Sequence, residues 1–273
     1  MTSRSSVTPY RAFRIAYDGR PWRGFQRQPD VPTVEGALLD AFEELGVDGT
    51  AAGYAAAGRT DAGVSAVAQT IAVTCPEWLD PAALNGELPA TIRAWAHADV
   101  PDTFHPQYDP TCRAYTYLHY APSADVDRIR IGADRLEGTH DFTHLTPDRG
   151  HTTRELSALA IERADPFVRI SVRAPGFLRH QVRRIVSLLD GFGRGTYSTA
   201  EVESMLAVEP LPGHRGIPPA PPEPLVLTDV VYPDVEFHPH PDASGRVAKQ
   251  FRQRERDLQQ VASTMGTIAD YVG

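Results

Sequence analysis

The chain has 273 residues, of which 41% are hydrophobic and 23% charged, so it can bury one large core or two ordinary ones and is not a disordered protein. No run approaches the roughly 20 apolar residues of a membrane helix, and the polar N-terminus lacks the apolar region of a signal peptide, which together predict a cytoplasmic protein without a membrane partner. The net charge of −8 argues, on bulk electrostatics, against a partner as negative as nucleic acid.

Apolar periodicity predicts alternating strands and helices in the first hundred residues. The chain begins with a strand over 13–17, which the turn Asp18-Gly19 ends, and continues with a helix over 34–45 that Thr33 caps. Further elements are predicted as a strand at 67–75, a short helix near 81–87 and a strand near 91–98. This order is that of a ferredoxin-like unit.

The second half of the chain runs in a similar order. Its predicted elements are a strand at 113–119, a helix near 132–138, strands at 156–162 and 167–174, a helix from Leu178 to Leu189 that Gly191 ends, and a strand at 225–232. We therefore expect an α+β protein in which two ferredoxin-like halves, residues 1–105 and 106–232, join into one mainly antiparallel sheet. Helices are expected on one side of this sheet and a cleft on the other.

Residues 233–273 differ in composition from the two halves. A Pro/His segment comes first, and a charged helical stretch follows from about Val247. Because the apolar positions of this stretch are sparse, we expect it to be an appendage.

The basic residues are distributed unevenly. They comprise 26 arginines and one lysine, a balance typical of a GC-rich genome or of a salt-loving source. Residues 10–28 carry five arginines against one aspartate and residues 169–194 carry six against one, so these stretches have net charges of +4 and +5 and the remainder sums to −17. Since arginine is suited to bidentate phosphate recognition, these two basic islands can bind phosphate within an acidic protein.

A Gly-rich turn surrounds an aspartate in Gly58-Arg-Thr-Asp-Ala-Gly-Val64, just before a predicted strand. Glycine at such a position permits a ligand to approach the backbone closely. An aspartate in such a turn more often forms an Asx-turn than acts in catalysis. The spacing alone therefore leaves both roles open for Asp61.

Ordered motifs extend along the chain from about residue 11 to residue 232. Besides the Asp61 turn they are Tyr17-Asp18-Gly19, Gly24-Phe25-Gln26, Thr33-Val-Glu-Gly36, Phe104-His105, Arg113-Ala-Tyr-Thr-Tyr117, His140-Asp-Phe-Thr143 and Phe177-Leu-Arg-His-Gln-Val-Arg-Arg-Ile-Val186. With these motifs the chain strongly resembles the TruA family of tRNA pseudouridine synthases. The resemblance implies conversion of uridine to pseudouridine at positions 38, 39 or 40 in the anticodon stem-loop of tRNA, without a metal or an organic cofactor. It also implies two ferredoxin-like halves, an RNA-binding cleft and a homodimer.

The resemblance assigns catalytic roles to three residues. Asp61 acts as the nucleophile at the sugar carbon or, on a glycal route, as base or electrostatic partner, and the sequence leaves both routes open. Its carboxylate must be ionised inside a pocket, and Arg183 is the candidate cation beside it. Tyr115 stacks on or near the uracil and takes the C5 proton.

A uridine within a stem must be flipped out of it before it can react. The resemblance implies that Arg59 fills the vacated space or holds the phosphate, and Gln26 and Thr60, which lie in motifs of the family, are further candidates for binding the substrate. An RNA helix is recognised mainly through its shape and its phosphates. Arginines of the two islands are therefore candidate phosphate contacts, namely Arg14, Arg23, Arg27, Arg169, Arg173, Arg179 and Arg184.

The chain departs from the family pattern at two places. Ser65 stands where the family usually has a histidine, which could shift the choice of uridine, and Pro224-Leu225 stands where the family has Gly-Leu. An RNA-folding chaperone on the same scaffold is an alternative function, and it would bind tRNA without catalysis.

A second alternative, a metal-dependent hydrolase, would use the histidines at 140, 144 and 151 or those of the tail. No His-Glu-x-x-His pattern occurs among them, so structural roles are favoured for these histidines. No metal site is expected.

Overall fold

The computed structural model describes residues 8–49, 52–206 and 216–273. The strands in these ranges are β1 (Tyr10–Tyr17), β2 (Ala55–Ala56), β3 (Ser65–Thr74), β4 (Ile92–Val100), β5 (Cys112–Tyr120), β6 (Gly138–Asp141), β7 (Thr153–Leu156), β8 (Ala158–Ala164), β9 (Phe167–Ala174), β10 (Leu225–Val231) and β11 (His238–Pro239). The helices are α1 (Val34–Glu44), α2 (Pro81–Glu87), α3 (Val126–Asp134), α4 (Gln181–Gly193), α5 (Thr199–Ser204) and α6 (Pro241–Val272). A 3-10 turn lies at Thr143–Leu145.

One nine-stranded sheet crosses the protein in the order β11-β4-β1-β3-β10-β5-β9-β8, with β2 paired to β3 beside this path. The described pairings are antiparallel, apart from a short parallel pairing of β3 with β10, in which Ser65 lies opposite Val226. This pairing joins the strands of the first hundred residues to those of the second half. The expectation of one large, mainly antiparallel sheet is confirmed, whereas the ferredoxin-like character of each half stays a prediction.

Two hydrophobic cores lie against this sheet. The first packs Leu38 of α1 and Leu84 of α2 against β1 and β3, and the second packs Ile185 and Leu189 of α4 against β9. Burial of such side chains stabilises each by about 1.5–3 kcal/mol relative to exposure. The elements predicted in the first half, which supply most of the first core, are confirmed within a few residues at their ends.

The strong helix of the second half ends later than predicted. Gly191 lies inside α4, where a Cβ atom would overlap the Tyr197 ring, so the glycine permits close packing. The helix ends after Gly193, and Gly195 supplies the left-handed residue, with φ +77°, while its N–H bonds to the carbonyl of Phe192. The prediction that Gly191 ends the helix is therefore wrong.

Two other elements of the second half differ from prediction. α3 begins at Val126, because the Asp125 side chain accepts a hydrogen bond from Arg128 N, and it ends at Asp134. The predicted helix near 132–138 overlaps only the end of α3. The predicted strand over 156–162 is split in two, since β7 pairs with β6 in a separate small sheet and only β8 joins the main sheet.

The tail is partly built into the fold. β11 adds an edge strand to β4, and α6 begins at Pro241, earlier than the predicted Val247, because the His240 side chain caps it. Ala243 and Val247 are buried, and Arg254 donates to Asp18 at 2.8 Å. Beyond these contacts the helix is exposed. The first turns of α6 are thus packed on the protein, and the boundaries at residues 105 and 232 stay predictions.

Candidate active site

The Asp61 turn lies between β2 and β3 and packs against the loop that follows β1. Its backbone closes through a hydrogen bond from Val64 N to the Asp61 carbonyl, with Gly63 at φ +84°. Phe25 N donates to the Thr60 carbonyl, and Gly24 has φ +99° where a Cβ would come within 3.3 Å of Ala62 N. The glycines therefore permit the two loops to approach closely and fix the position of Asp61.

The Asp61 carboxylate is held on one of its two oxygens. Arg183 Nη1 lies 2.9 Å from Asp61 Oδ2, and His180 Nε2 lies 3.4 Å from the same atom. Asp61 Oδ1 accepts no hydrogen bond from the described residues. Arg183 is anchored in turn, since its Nε donates to the Ala220 carbonyl at 2.7 Å. The predicted pairing of Asp61 with Arg183 is thus present in the structure.

Tyr115 of β5 lies beside the carboxylate and is packed edge-on against Phe177, with ring centroids 5.3 Å apart. Burial raises the pKa of Tyr115, Arg113 lowers it and the charge of Asp61 raises it, and together these effects bring it to about 12. The phenol is therefore neutral at pH 7. Beneath the turn, the hydroxyls of Tyr17 and Thr60 are joined by a hydrogen bond of 2.8 Å.

A cavity of about 600 Å³ opens beside these groups. Many of the candidate site residues line it, namely Arg23, Gln26, Arg59, Thr60, Asp61, Tyr115, Arg179 and Arg183. The Arg23 and Arg59 side chains are exposed and have no hydrogen bond or ion pair with other described residues. Arg179 is exposed and lies 3.6 Å from Asp148. The cavity mouth therefore presents guanidinium groups to solvent.

The cavity lies on the sheet face that α4 covers. Side chains of β5 alternate between faces, and His119, on the same face as Tyr115, is 2.7 Å from Asp190 of α4. This cavity is therefore formed at the N-terminus of α4, on the side of the sheet that α4 covers, and the expected RNA-binding cleft on the opposite side stays a prediction.

Arg14 does not reach the cavity. Its guanidinium is buried, donates to the carbonyls of Ala68 and Val230 and to the Thr70 hydroxyl, and lies 4.2 Å from the Phe237 ring centroid. Such a group has no face left for a phosphate. The prediction of a phosphate contact at Arg14 is wrong for this reason.

Four other predicted arginines also lie outside the cavity lining. Arg169 and Arg173 share a sheet face with Leu118, since cross-strand partners point the same way, and this is the face opposite Tyr115. Arg27 lies 3.8 Å from Asp40, and Arg184 donates to the Ile217 carbonyl. The structure does not bring these residues to Asp61.

His180 and Phe177 are site residues that the sequence analysis did not single out. Both lie in the motif that ends with Val186. His180 is the N-cap residue of α4 and precedes Arg183 by three positions, a spacing that keeps both side chains at the same end of the helix. That spacing is the signal that could have identified it.

Within residues 8–49, 52–206 and 216–273, no three His, Cys, Asp or Glu side chains come together as metal ligands. In the same ranges, the helices are all too short or too polar to cross a membrane.

Comparisons with known proteins identify related chains. A family model described as tRNA pseudouridine synthase matches residues 133–233. A protein of Natronomonas pharaonis described as tRNA pseudouridine synthase A is 51% identical over 95% of this chain and 98% of its own length. One of the same description from Haloarcula marismortui is 48% identical over 96% of this chain and 98% of its own length. Among solved structures, an archaeal box H/ACA sRNP Nop10-Cbf5 complex matches distantly, with a TM-score of 0.36 and 16% identity over 71% of this chain and 47% of that one.

Proposed function

Because the chain belongs to the tRNA pseudouridine synthase A family, we propose that Asp61 is the nucleophile with which it isomerises uridine in the anticodon stem-loop of tRNA. Members of this family are isomerases that convert uridine in tRNA to pseudouridine, and this chain is one of them. The choice of positions 38, 39 and 40 and the roles of individual residues are the parts proposed here.

The asymmetric environment of Asp61 is the observation that carries the proposal. Arg183 and His180 both approach Oδ2, so the ion pair balances the charge of the carboxylate without engaging Oδ1. An oxygen that keeps its lone pairs beside a cavity can attack a carbon atom placed there.

The chemistry balances without a further reactant. Oδ1 of Asp61 forms a bond to the ribose C1′ as the bond from C1′ to N1 breaks, and the electron pair leaves with the uracil anion. The base turns, its C5 attacks C1′, and the carboxylate departs. The C5 proton is then lost and N1 gains one, so the product is an isomer of the substrate.

The surroundings of the cavity suit the remaining steps. Tyr115 and Phe177 offer aromatic surfaces to a base that must stay in place while it is detached, and Tyr115 is the proposed acceptor of the C5 proton. Arg23, Arg59 and Arg179 are the proposed phosphate and base-flipping contacts, because they line the cavity and are exposed. Gln26 and Thr60 line the same wall.

Release of tritium from tRNA that carries [5-³H]uridine tests the nucleophile. We expect Asp61→Asn to lower the rate by at least about 10³-fold, since it removes the attacking oxygen's charge while preserving shape. Asp134→Asn is the matched control, because Asp134 is exposed and distant on α3. Undiminished release in Asp61→Asn would overturn the role of Asp61. Mapping of pseudouridine on the product tests the position, and a site outside the anticodon stem-loop would overturn that part alone.

We further propose that the protein is a homodimer held together by α6. Five exposed apolar side chains follow one another at alternating spacings of three and four along the helix, namely Leu258, Val261, Met265, Ile268 and Val272. This spacing is that of a coiled-coil seam. Residues 258–269 carry no charged side chain, so this stripe offers nothing to a phosphate backbone and meets no repulsion from the same helix of a second copy.

A further inference from the structure

His180 has an unusual backbone at the point where α4 begins. Its φ is 59° and its ψ is 7°, which is the left-handed region, and in the described residues it shares a positive φ with only two other non-glycine residues, Asp30 and His151. A side chain with a Cβ adopts this conformation only where its surroundings impose it, and such residues concentrate at functional sites.

The left-handed backbone of His180 does not serve to cap α4, and it places the imidazole near Asp61. Thr33 and Ser198 cap their helices with side-chain hydrogen bonds, whereas the His180 side chain makes no such cap. The turn before α4 is closed instead by Gln181, whose Oε1 accepts from Leu178 N. The His180 imidazole is therefore directed at Asp61 Oδ2, at 3.4 Å.

The charges around His180 favour its neutral form. Burial lowers the pKa of His180, the nearby Arg183, Arg179 and Arg184 lower it further, and only Asp61 opposes them. A neutral imidazole whose Nε2 lies 3.4 Å from Asp61 Oδ2 presents a polar N–H edge to that oxygen without adding a second full charge to the one that Arg183 supplies.

We propose that His180 is a positioning residue which, together with Arg183, fixes Asp61 Oδ2 so that Oδ1 is presented to the ribose carbon. This inference rests on the proposed role of Asp61 as nucleophile. The single hydrogen bond from Arg183 leaves the carboxylate free to rotate about its last bond, and an imidazole packed 3.4 Å from the same oxygen restricts that rotation. His180 acts through Asp61 and needs no contact with the reacting atoms.

The test compares variants that keep the backbone of residue 180 and change its side chain. Glycine tolerates the left-handed region, so His180→Gly removes the imidazole without adding strain, and His180→Asn is a second such variant because asparagine also tolerates it. His180→Gln restores an amide donor at about the place of Nε2. His151→Gly is the matched control, since His151 is an exposed left-handed histidine outside the cavity lining.

Single-turnover kinetics and tRNA affinity separate the outcomes. We expect His180→Gly and His180→Asn to slow the chemical step by about ten- to a hundredfold with unchanged tRNA affinity, and His180→Gln to recover most of the rate. Full activity in His180→Gly would overturn the proposal, as would a loss that appears in tRNA affinity or that His180→Gln fails to recover. Asp61→Asn is measured in parallel: if it stays active, the proposed nucleophile fails, whereas an inactive Asp61→Asn beside an active His180→Gly removes only the role of His180.

Discussion

The proposed function gives Tyr115 two tasks that are usually performed by different groups. Its ring packs edge-on against Phe177 at the cavity wall, where we propose that the base lies, and its hydroxyl is the proposed acceptor of the C5 proton. Because burial raises the pKa of Tyr115 to about 12, the hydroxyl is protonated at pH 7. It therefore accepts the C5 proton only as it passes its own proton to solvent in the open cavity, while N1 gains a proton from solvent. Stacking and proton transfer can therefore be separated by removing one oxygen atom.

We expect Tyr115→Phe to keep tRNA affinity and to lower tritium release by about 10²-fold or more, since the ring remains and the proton acceptor is lost. The measurement is tritium release from [5-³H]uridine-labelled tRNA together with a binding isotherm. Tyr120→Phe is the control, because Tyr120 is exposed on the same strand and contacts Phe167 instead. Release at the wild-type rate in Tyr115→Phe would leave Tyr115 a stacking role alone.

Arginine illustrates how far single residues could be predicted. Motif and charge together indicated the pairing of Arg183 with Asp61, which the structure contains. Arg14 looked equivalent in sequence, yet strand register places the Ala68 and Val230 carbonyls around it. A buried guanidinium that donates to two backbone carbonyls and a hydroxyl is a structural group, and which acceptors surround it depends on long-range pairing that no local pattern contains.

At the scale of elements, α6 is clamped to the end of β1 by one carboxylate. Asp18 accepts from Arg20 at 2.7 Å and from Arg254 at 2.8 Å, and its own side chain is buried. Burial alone raises the pKa of Asp18, but the hydrogen bonds from Arg20 and Arg254 outweigh it and hold that pKa at about 2.

We expect Asp18→Asn to lower the free energy of unfolding by about 2 kcal/mol at pH 7. The folded-state pKa lies below the unfolded value, so the stabilisation is complete above about pH 4 and is lost as the pH falls through about 2. Urea unfolding of the two chains at several pH values is the measurement. The difference in free energy of unfolding between the unchanged protein and Asp18→Asn should narrow below pH 4.

Asp127→Asn provides the comparison for Asp18. Asp127 pairs with Arg130 on the surface of α3, and its side chain is 86% exposed, so its removal should change stability little. The proposed role of Asp18 would be contradicted if Asp18→Asn were as stable as Asp127→Asn. It would also be contradicted if the loss of unfolding free energy in Asp18→Asn did not depend on pH.

The predicted bounds of an element were most accurate where its apolar residues lie on one face and that face packs against one core. The predicted bounds of α1 and α2 agree with the structure because caps and apolar spacing coincide in each. The end of α4 was misplaced because Gly191 is required by the ring of Tyr197, a contact made after the helix and not within it. The sequence alone does not show whether a glycine ends a helix or permits the close packing of another side chain.

At the scale of the molecule, the apolar stripe of α6 predicts association. We expect a chain that ends after Arg256 to be monomeric in light scattering at concentrations where the full chain is dimeric, because it lacks the seam and keeps the Arg254 contact. Met265→Glu should have the same effect. Gln260→Glu adds an equal charge off the stripe and should leave the dimer intact; a dimeric Met265→Glu would contradict the proposal.

The net charge of a stretch of sequence does not show how many of its charged side chains reach solvent. The island at 10–28 has a formal charge of +4, but Arg11 is paired with Asp99, Arg20 with Asp18, and Arg14 is buried. Arg20, Arg23 and Arg27 of that island remain exposed, and among the described residues Arg20 and Arg27 each lie within 4 Å of an aspartate, whereas Arg23 does not. The sequence could predict where cations are concentrated, and only the folded pairing decides how many of them reach solvent.

The parallel contact between β3 and β10 affects when the active site can form during synthesis of the chain. Ser65, four residues after Asp61, pairs with Val226, and the carbonyl of Ala220 anchors Arg183. During synthesis the Asp61 turn leaves the ribosome long before these partners do, and contacts so distant in sequence form late. A nascent or truncated chain therefore carries its carboxylate without the strand and the cation that orient it, and competence for isomerisation arises only once nearly all of the polypeptide has been made.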